Sequence, residues 1–169
     1  MNCTKFFFAI FISFFLIQNV NATNNISFIN LDLILNDSVL GKKVLLNLKN
    51  LNETNNKILK KIENEIINDE NEIKKIQNVI SKEDLNLKIQ QLKKKIEEFN
   101  SKRSNFDKDF EKKRDEDILN FFKKINPLVQ NYMDNNQINM VIEKKYVFIG
   151  RSIDDITQDI LNLINEEFK

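Results

Sequence analysis

The residue types that carry acid–base, thiol and metal chemistry are scarce in this chain. It has no histidine, a single cysteine at position 3, and two glycines, Gly41 and Gly150. Without imidazole or a second thiol there is no ordinary zinc ligand set and no His-activated serine or cysteine. The glycines stand too far apart for a phosphate-cradling loop or a dinucleotide fingerprint. What remains is carboxylate. Asp107 with Asp109, and Asp115 with Asp117, could hold a hard cation or divide the roles of acid and base. Both pairs sit in a run of mixed charge, FDKDFEKKRDED, where a solvated helix face is the plainer account. No catalytic, cofactor-binding or metal-binding residue is therefore assigned, and the protein is not expected to be an enzyme.

Residues 1–22 have the layout of a secretory signal peptide: Lys5, an unbroken apolar run from Phe6 to Ile17, then Val20-Asn21-Ala22 before a cut ahead of Thr23. The apolar run is too short to span about 30 Å of hydrocarbon. Cleavage would remove Cys3 and Phe6, Phe7, Phe8, Phe11, Phe14 and Phe15, leaving a thiol-free chain whose stability must come from packing and association. It would also leave 25 basic against 25 acidic residues. Residues 42–124 hold 21 basic and 16 acidic residues, so the middle of the chain is positive and its flanks are negative.

The stretch from Lys42 to Asn126 has neither glycine nor proline, which points to very long helices. Val44, Leu48, Leu51, Asn55, Ile58, Ile62 and Ile66 follow a heptad rhythm, and Ile73, Ile76 and Ile80 resume it after a stutter near Ile66 to Asp69. Ser81 with Asp84 forms a variant capping box, which marks a turn near 79–84. Leu85, Ile89, Leu92, Ile96, Phe99, Arg103, Phe106 and Phe110 then make a second seam, and Ile118, Phe121, Ile125, Leu128 and Tyr132 carry it onward. An antiparallel hairpin follows, with arms of about forty residues and roughly 60 Å. Pro127 lies inside the second helical pattern and predicts a bend there.

The ends read differently. Ile26 to Leu31 is β-rich, and Asn36-Asp37-Ser38 offers capping chemistry before the first long helix. Met140 to Glu143 and Tyr146 to Ile149, separated by Lys144-Lys145, predict a β-hairpin. Ser152 to Asp155 leads into a last helix with Ile156, Ile160, Leu163 and Ile164 on one face. The fold class is α+β, predominantly α: a coiled-coil arm (41–125) projecting from a small β-rich body (23–40 and 126–169). So few strands with open edges are marginal alone, so the body is expected to oligomerise through Ile26, Phe28, Ile29, Val141, Ile142, Val147, Phe148 and Ile156.

Two segments carry a family resemblance. Asn139-Met-Val-Ile-Glu143, Tyr146-Val-Phe-Ile149 and Asp155-Ile156-Thr157 are similar to the strand pair and Asp-Ile-Thr helix start of the Skp/OmpH family. Ile26-Ser-Phe-Ile-Asn-Leu-Asp32 and Gly41-Lys42-Lys43 resemble its opening strand and helix entry. The resemblance covers the whole chain. It implies a periplasmic homotrimer whose arms enclose unfolded outer-membrane proteins without nucleotide. On that reading the apolar residues off the seam, Leu46, Leu59, Ile67, Leu87, Leu119 and Phe122, are the client-facing set. Lys93 to Lys95 and Lys112 to Arg114 read mainly as solvated helix faces, with a secondary role on anionic lipid or acidic client loops; weak lipopolysaccharide contact is a further expectation, though no lipopolysaccharide-binding residue of the family is matched. A zero net charge after cleavage supplies little phosphate attraction, so nucleic acid is not an expected partner. The alternative of another class is an envelope scaffold whose coiled coil binds one specific partner.

Overall fold

The computed structural model describes residues 25–169; the expected signal segment and its cut site lie outside them. The order of elements is β1 (Ile26–Ile29), α1 (Leu31–Asp37), α2 (Val39–Ile76), α3 (Lys82–Asn135), β2 (Met140–Glu143), 3-10 turns at Lys144–Tyr146 and Ser152–Asp154, and α4 (Thr157–Glu167). At about 1.5 Å per residue the 38 residues of α2 reach about 57 Å and the 54 of α3 about 80 Å. They form an antiparallel hairpin, and the excess of α3 runs back into the base.

Each long helix begins where a side chain satisfies its first amides. Ser38 ends α1 and starts α2: its own amide donates to the Ile34 carbonyl, and its Oγ accepts from the Gly41 amide at 3.0 Å. The Val39 amide is taken by Asn165 Oδ1 of α4 at 2.8 Å. At the tip, Ser81 Oγ accepts from the Asp84 amide at 3.0 Å while its hydroxyl donates to the Asp84 carboxylate at 2.6 Å. The helix break spans residues 77–81. Helix α3 does not stop at Pro127 but continues to Asn135. It ends through Gln137, which takes a left-handed φ of 55° while the Ile138 amide donates to the Met133 carbonyl.

The strands from the two ends of the chain pair with each other, in parallel, with Ile26 opposite Met140 and Ile29 opposite Glu143. A parallel pair needs a crossover, and here the crossover is the whole helical hairpin. The expected β-hairpin from Met140 to Ile149 is not what forms. Lys144–Tyr146 winds into a 3-10 turn, residues 147–149 are in no strand, and Tyr146, Phe148 and Ile149 are 74%, 97% and 82% exposed. After β2 the chain turns back over Phe28 instead, held by the Lys144–Asp155 pair.

The core lies at the base. Ile29, Ile34, Phe121, Ile125, Ile156, Ile160 and Ile164 form one buried cluster, with Leu31, Leu40, Val44, Leu128 and Tyr132 packed around it. Phe121 and Ile125 come from the stretch that the sequence assigned to the arm, so the root of the arm is part of the core. Thr157 ties the layers together, its Oγ1 accepting from the Asn30 amide at 2.9 Å.

Candidate functional site

The arm is the longest part of the fold, and its surface follows from which residues the hairpin buries. Along α2 the buried or half-buried positions include a stripe of Val44, Leu48, Leu51, Asn55, Leu59, Ile62, Ile66, Asp69, Ile73 and Ile76. The heptad rhythm therefore runs unbroken through Ile66 and Asp69, and the extra four-residue step falls at Asn55 instead. Leu59, not Ile58, takes the seam position; Ile58 is 37% exposed. Both fit a seven-residue rhythm on one side of Asn55, which is why sequence spacing alone chose the wrong one.

Of the six off-seam apolar residues, Leu46, Ile67, Leu87 and Leu119 are exposed, each by about half. Leu59 is half-buried in the seam. Phe122 packs on the core, its ring edge-on to Phe121 with centroids 5.4 Å apart. Spacing missed Val79 at the arm tip, 79% exposed among Lys74, Lys75 and Lys82. Its place in the turn, outside both heptad runs, was the signal.

Part of the arm's charge is matched, mostly within one helix. Lys94 pairs with Glu98, Lys112 with Glu116, Lys113 with Asp117, and Arg114 with both Glu111 and Asp115. Hydrogen bonding to Asp115 and the charge of Glu111 raise the Arg114 guanidinium further above its ordinary range. Asp115 and Asp117 are thus occupied by cations of their own helix, whereas Asp107 and Asp109 are exposed. No group of three or more acidic, His or Cys side chains that could hold a metal exists among the described residues. Nor is any described helix long and apolar enough to cross a membrane.

At the base, Phe28, Ile29 and Ile156 are buried, Val141, Ile142 and Val147 half-buried, and Ile26 and Phe148 exposed. Ile26, Phe28, Ile142, Tyr146, Phe148 and Ile149 line an open apolar groove of about 520 Å³. The chain can pass over Phe28 because position 150 is glycine: a Cβ there would lie 2.5 Å from the Phe28 ring. Lys144 holds this loop, donating to Asp155 at 2.6 Å and lying 5.9 Å from the centre of the Phe28 ring. Burial pushes the Asp155 carboxyl up, but hydrogen bonds from Lys144 and from the Thr157 hydroxyl and amide outweigh it and leave the pKa below the ordinary value.

The model of the family described as outer membrane protein (OmpH-like) matches residues 25–164. A crystal structure from Caulobacter crescentus CB15, assigned as an OmpH-like outer membrane chaperone, superposes with a TM-score of 0.79 at 16% identity, covering 88% of each chain. At that identity it shows a shared fold. No curated protein matches the chain. With the family match running from the first strand to the terminal helix, the chain belongs to the OmpH-like outer membrane protein family.

Proposed function

We propose that the protein is a periplasmic, nucleotide-independent holdase that keeps unfolded outer-membrane proteins soluble between its helical arms. The observation that carries this reading is the arm itself: a slender hairpin with a closed seam that still shows Leu46, Ile67, Val79, Leu87 and Leu119 to solvent from base to tip. Scattered single apolar side chains bind weakly one at a time, and many of them along a flexible client act together by effective concentration. Such binding suppresses aggregation by mass action and needs no energy source. The OmpH-like membership supports the same reading, as does the chaperone assignment of the Caulobacter structure. The exposed Phe148 and Ile149 and the open outer edge of β2 suit a trimeric assembly at the base, which would set arms around a cavity.

The test dilutes a urea-denatured outer-membrane β-barrel protein into buffer with the purified protein, with light scattering read for aggregation and for the mass of the chaperone alone. A trimer that holds several unrelated barrels in solution without nucleotide supports the holdase. A protein that ignores all of them and retains one envelope partner would establish the scaffold reading instead. Replacing Ile67 and Leu87 by Ser should weaken holding with helicity unchanged.

A further inference from the structure

Two exposed apolar residues of α2 stand in opposite electrostatic settings. Near the root, Leu46 is about half exposed, and helical spacing puts Lys42 and Lys43 one turn before it and Lys49 one turn after it on the same face. From Ser38 to Asn52 the chain has no acidic residue. Further out, Ile67 is also about half exposed, with Glu63 one turn before it and Glu70 one turn after it. From Ile62 to Ile73 there is no basic residue. Two similar apolar points on one helix thus carry cations around the first and carboxylates around the second.

The hairpin does not neutralise these charges. On the flank of α2 that meets α3, Asp69 pairs with Lys95 and Glu72 with Lys88. Hydrogen bonding to Asp69, with the charges of Asp69 and Glu65, raises the Lys95 pKa, so the acids on that flank already have their cations. Lys42, Lys43, Glu63 and Glu70 form no ion pair among the described residues, and Lys49 reaches Glu53 only at 3.9 Å on the surface. Their counter-charges are left to solvent or to a bound chain. Leu46 and Ile67 lie about 32 Å apart along the helix. An extended polypeptide rises about 3.3 Å per residue, so a segment of about ten residues spans both points.

We propose that α2 sorts the segments of an unfolded client by charge: Leu46 takes apolar side chains neighboured by Asp or Glu, and Ile67 takes apolar side chains neighboured by Lys or Arg. The proposal rests on the holdase reading for its client and goes beyond it in naming the chemistry of each point. A client with acidic and basic stretches about ten residues apart is then held in one direction along the arm, its acidic stretch toward the base. Clients of either net charge find a matching point, which a uniformly basic arm would not offer.

Two capped pentapeptides test this on the intact protein, each with Phe at its centre and Leu on either side, one with Asp at both ends and the other with Lys. The methyl NMR signals of Leu46 should respond to the Asp peptide and those of Ile67 to the Lys peptide, each with about fivefold preference. The preference should vanish in about 1 M NaCl, where surface charges are screened. Lys42→Glu with Lys43→Glu should pass the Leu46 point to the Lys peptide, with helicity unchanged by circular dichroism. Equal response to both peptides, response to neither, or a preference that survives salt or the charge reversal would overturn the sorting. The denatured-barrel assay judges the holdase reading separately. Barrels held in solution by a protein that shows no peptide preference would remove the sorting and leave the holdase, whereas peptides sorted with no barrel held would do the reverse.

Discussion

The base of the molecule and its arm share two helices yet are held by different means. At the base, residues from α1, α3, α4 and β1 converge so that Ile34, Ile125, Ile160, Ile164 and Phe121 are almost fully buried. In the arm only Leu48 and Ile66 reach that class, and two helices alone cannot surround a side chain. Apolar burial contributes in proportion to area removed from water, so most of the free energy holding the fold resides at one end. The difference teaches how a thin projecting hairpin can exist: its root is anchored in a core, and its length is carried by intrahelical bonds, caps and a half-buried seam.

The contrast is sharpest under truncation of aromatic side chains. Phe121→Ala should cost about 3–5 kcal/mol, read by urea denaturation, whereas Phe106→Ala, half-buried in the seam, should cost about half as much. Equal costs would break the distinction between base and arm. Next comes Gly41→Ala. Its Cβ would stand 2.0 Å from the Leu35 carbonyl oxygen, so α1 would have to lift from α2, at about 1–3 kcal/mol in the same measurement. A smaller, local effect is expected at the tip: Ser81→Ala removes a cap worth about 1 kcal/mol and should fray the first turn of α3 by amide exchange without moving the global midpoint. The smallest is a pH effect at the base. Because Asp155 has a depressed pKa in the folded chain, its contribution is present above the unfolded value, about 3.9, and is lost as pH falls through the lower folded one. Asp155→Asn should therefore flatten the decline in stability below about pH 4, a change read from thermal midpoints across pH.

The long helices, their turn and the Ser81 cap were legible because heptad spacing and capping depend on neighbours in sequence. The choice between Ile58 and Leu59 was not, since both positions are apolar and the stutter could be placed on either side of Asn55. Nor was the fate of Tyr146 to Ile149. Aromatic and β-branched residues fit a pleated sheet, but here the loop is turned back by the Lys144–Asp155 pair and the close pass of Gly150 over Phe28, contacts that spacing does not show. The short helix α1 was hidden for a related reason: Ile26 to Leu31 reads as one strand until Asn30 is seen to turn its side chain back onto the Leu33 amide at 2.9 Å. Exposure along the arm was readable for Leu46, Ile67, Leu87 and Leu119, because a helix wheel around a known seam decides it, and unreadable for Phe122, whose neighbours come from the core.

The parallel register of β1 with β2 also dictates the order in which this chain can fold. Ile26 meets Met140 only after everything between them has been made and brought back. Closing so long a loop in an unstructured chain is entropically slow, whereas the turn at residues 77–81 needs only neighbouring residues. Folding is therefore expected to begin at the tip and zip toward the base, the hairpin itself delivering residue 140 to residue 26. Until that zipper closes, the first strand waits without a partner, and Met140–Glu143 complete the sheet.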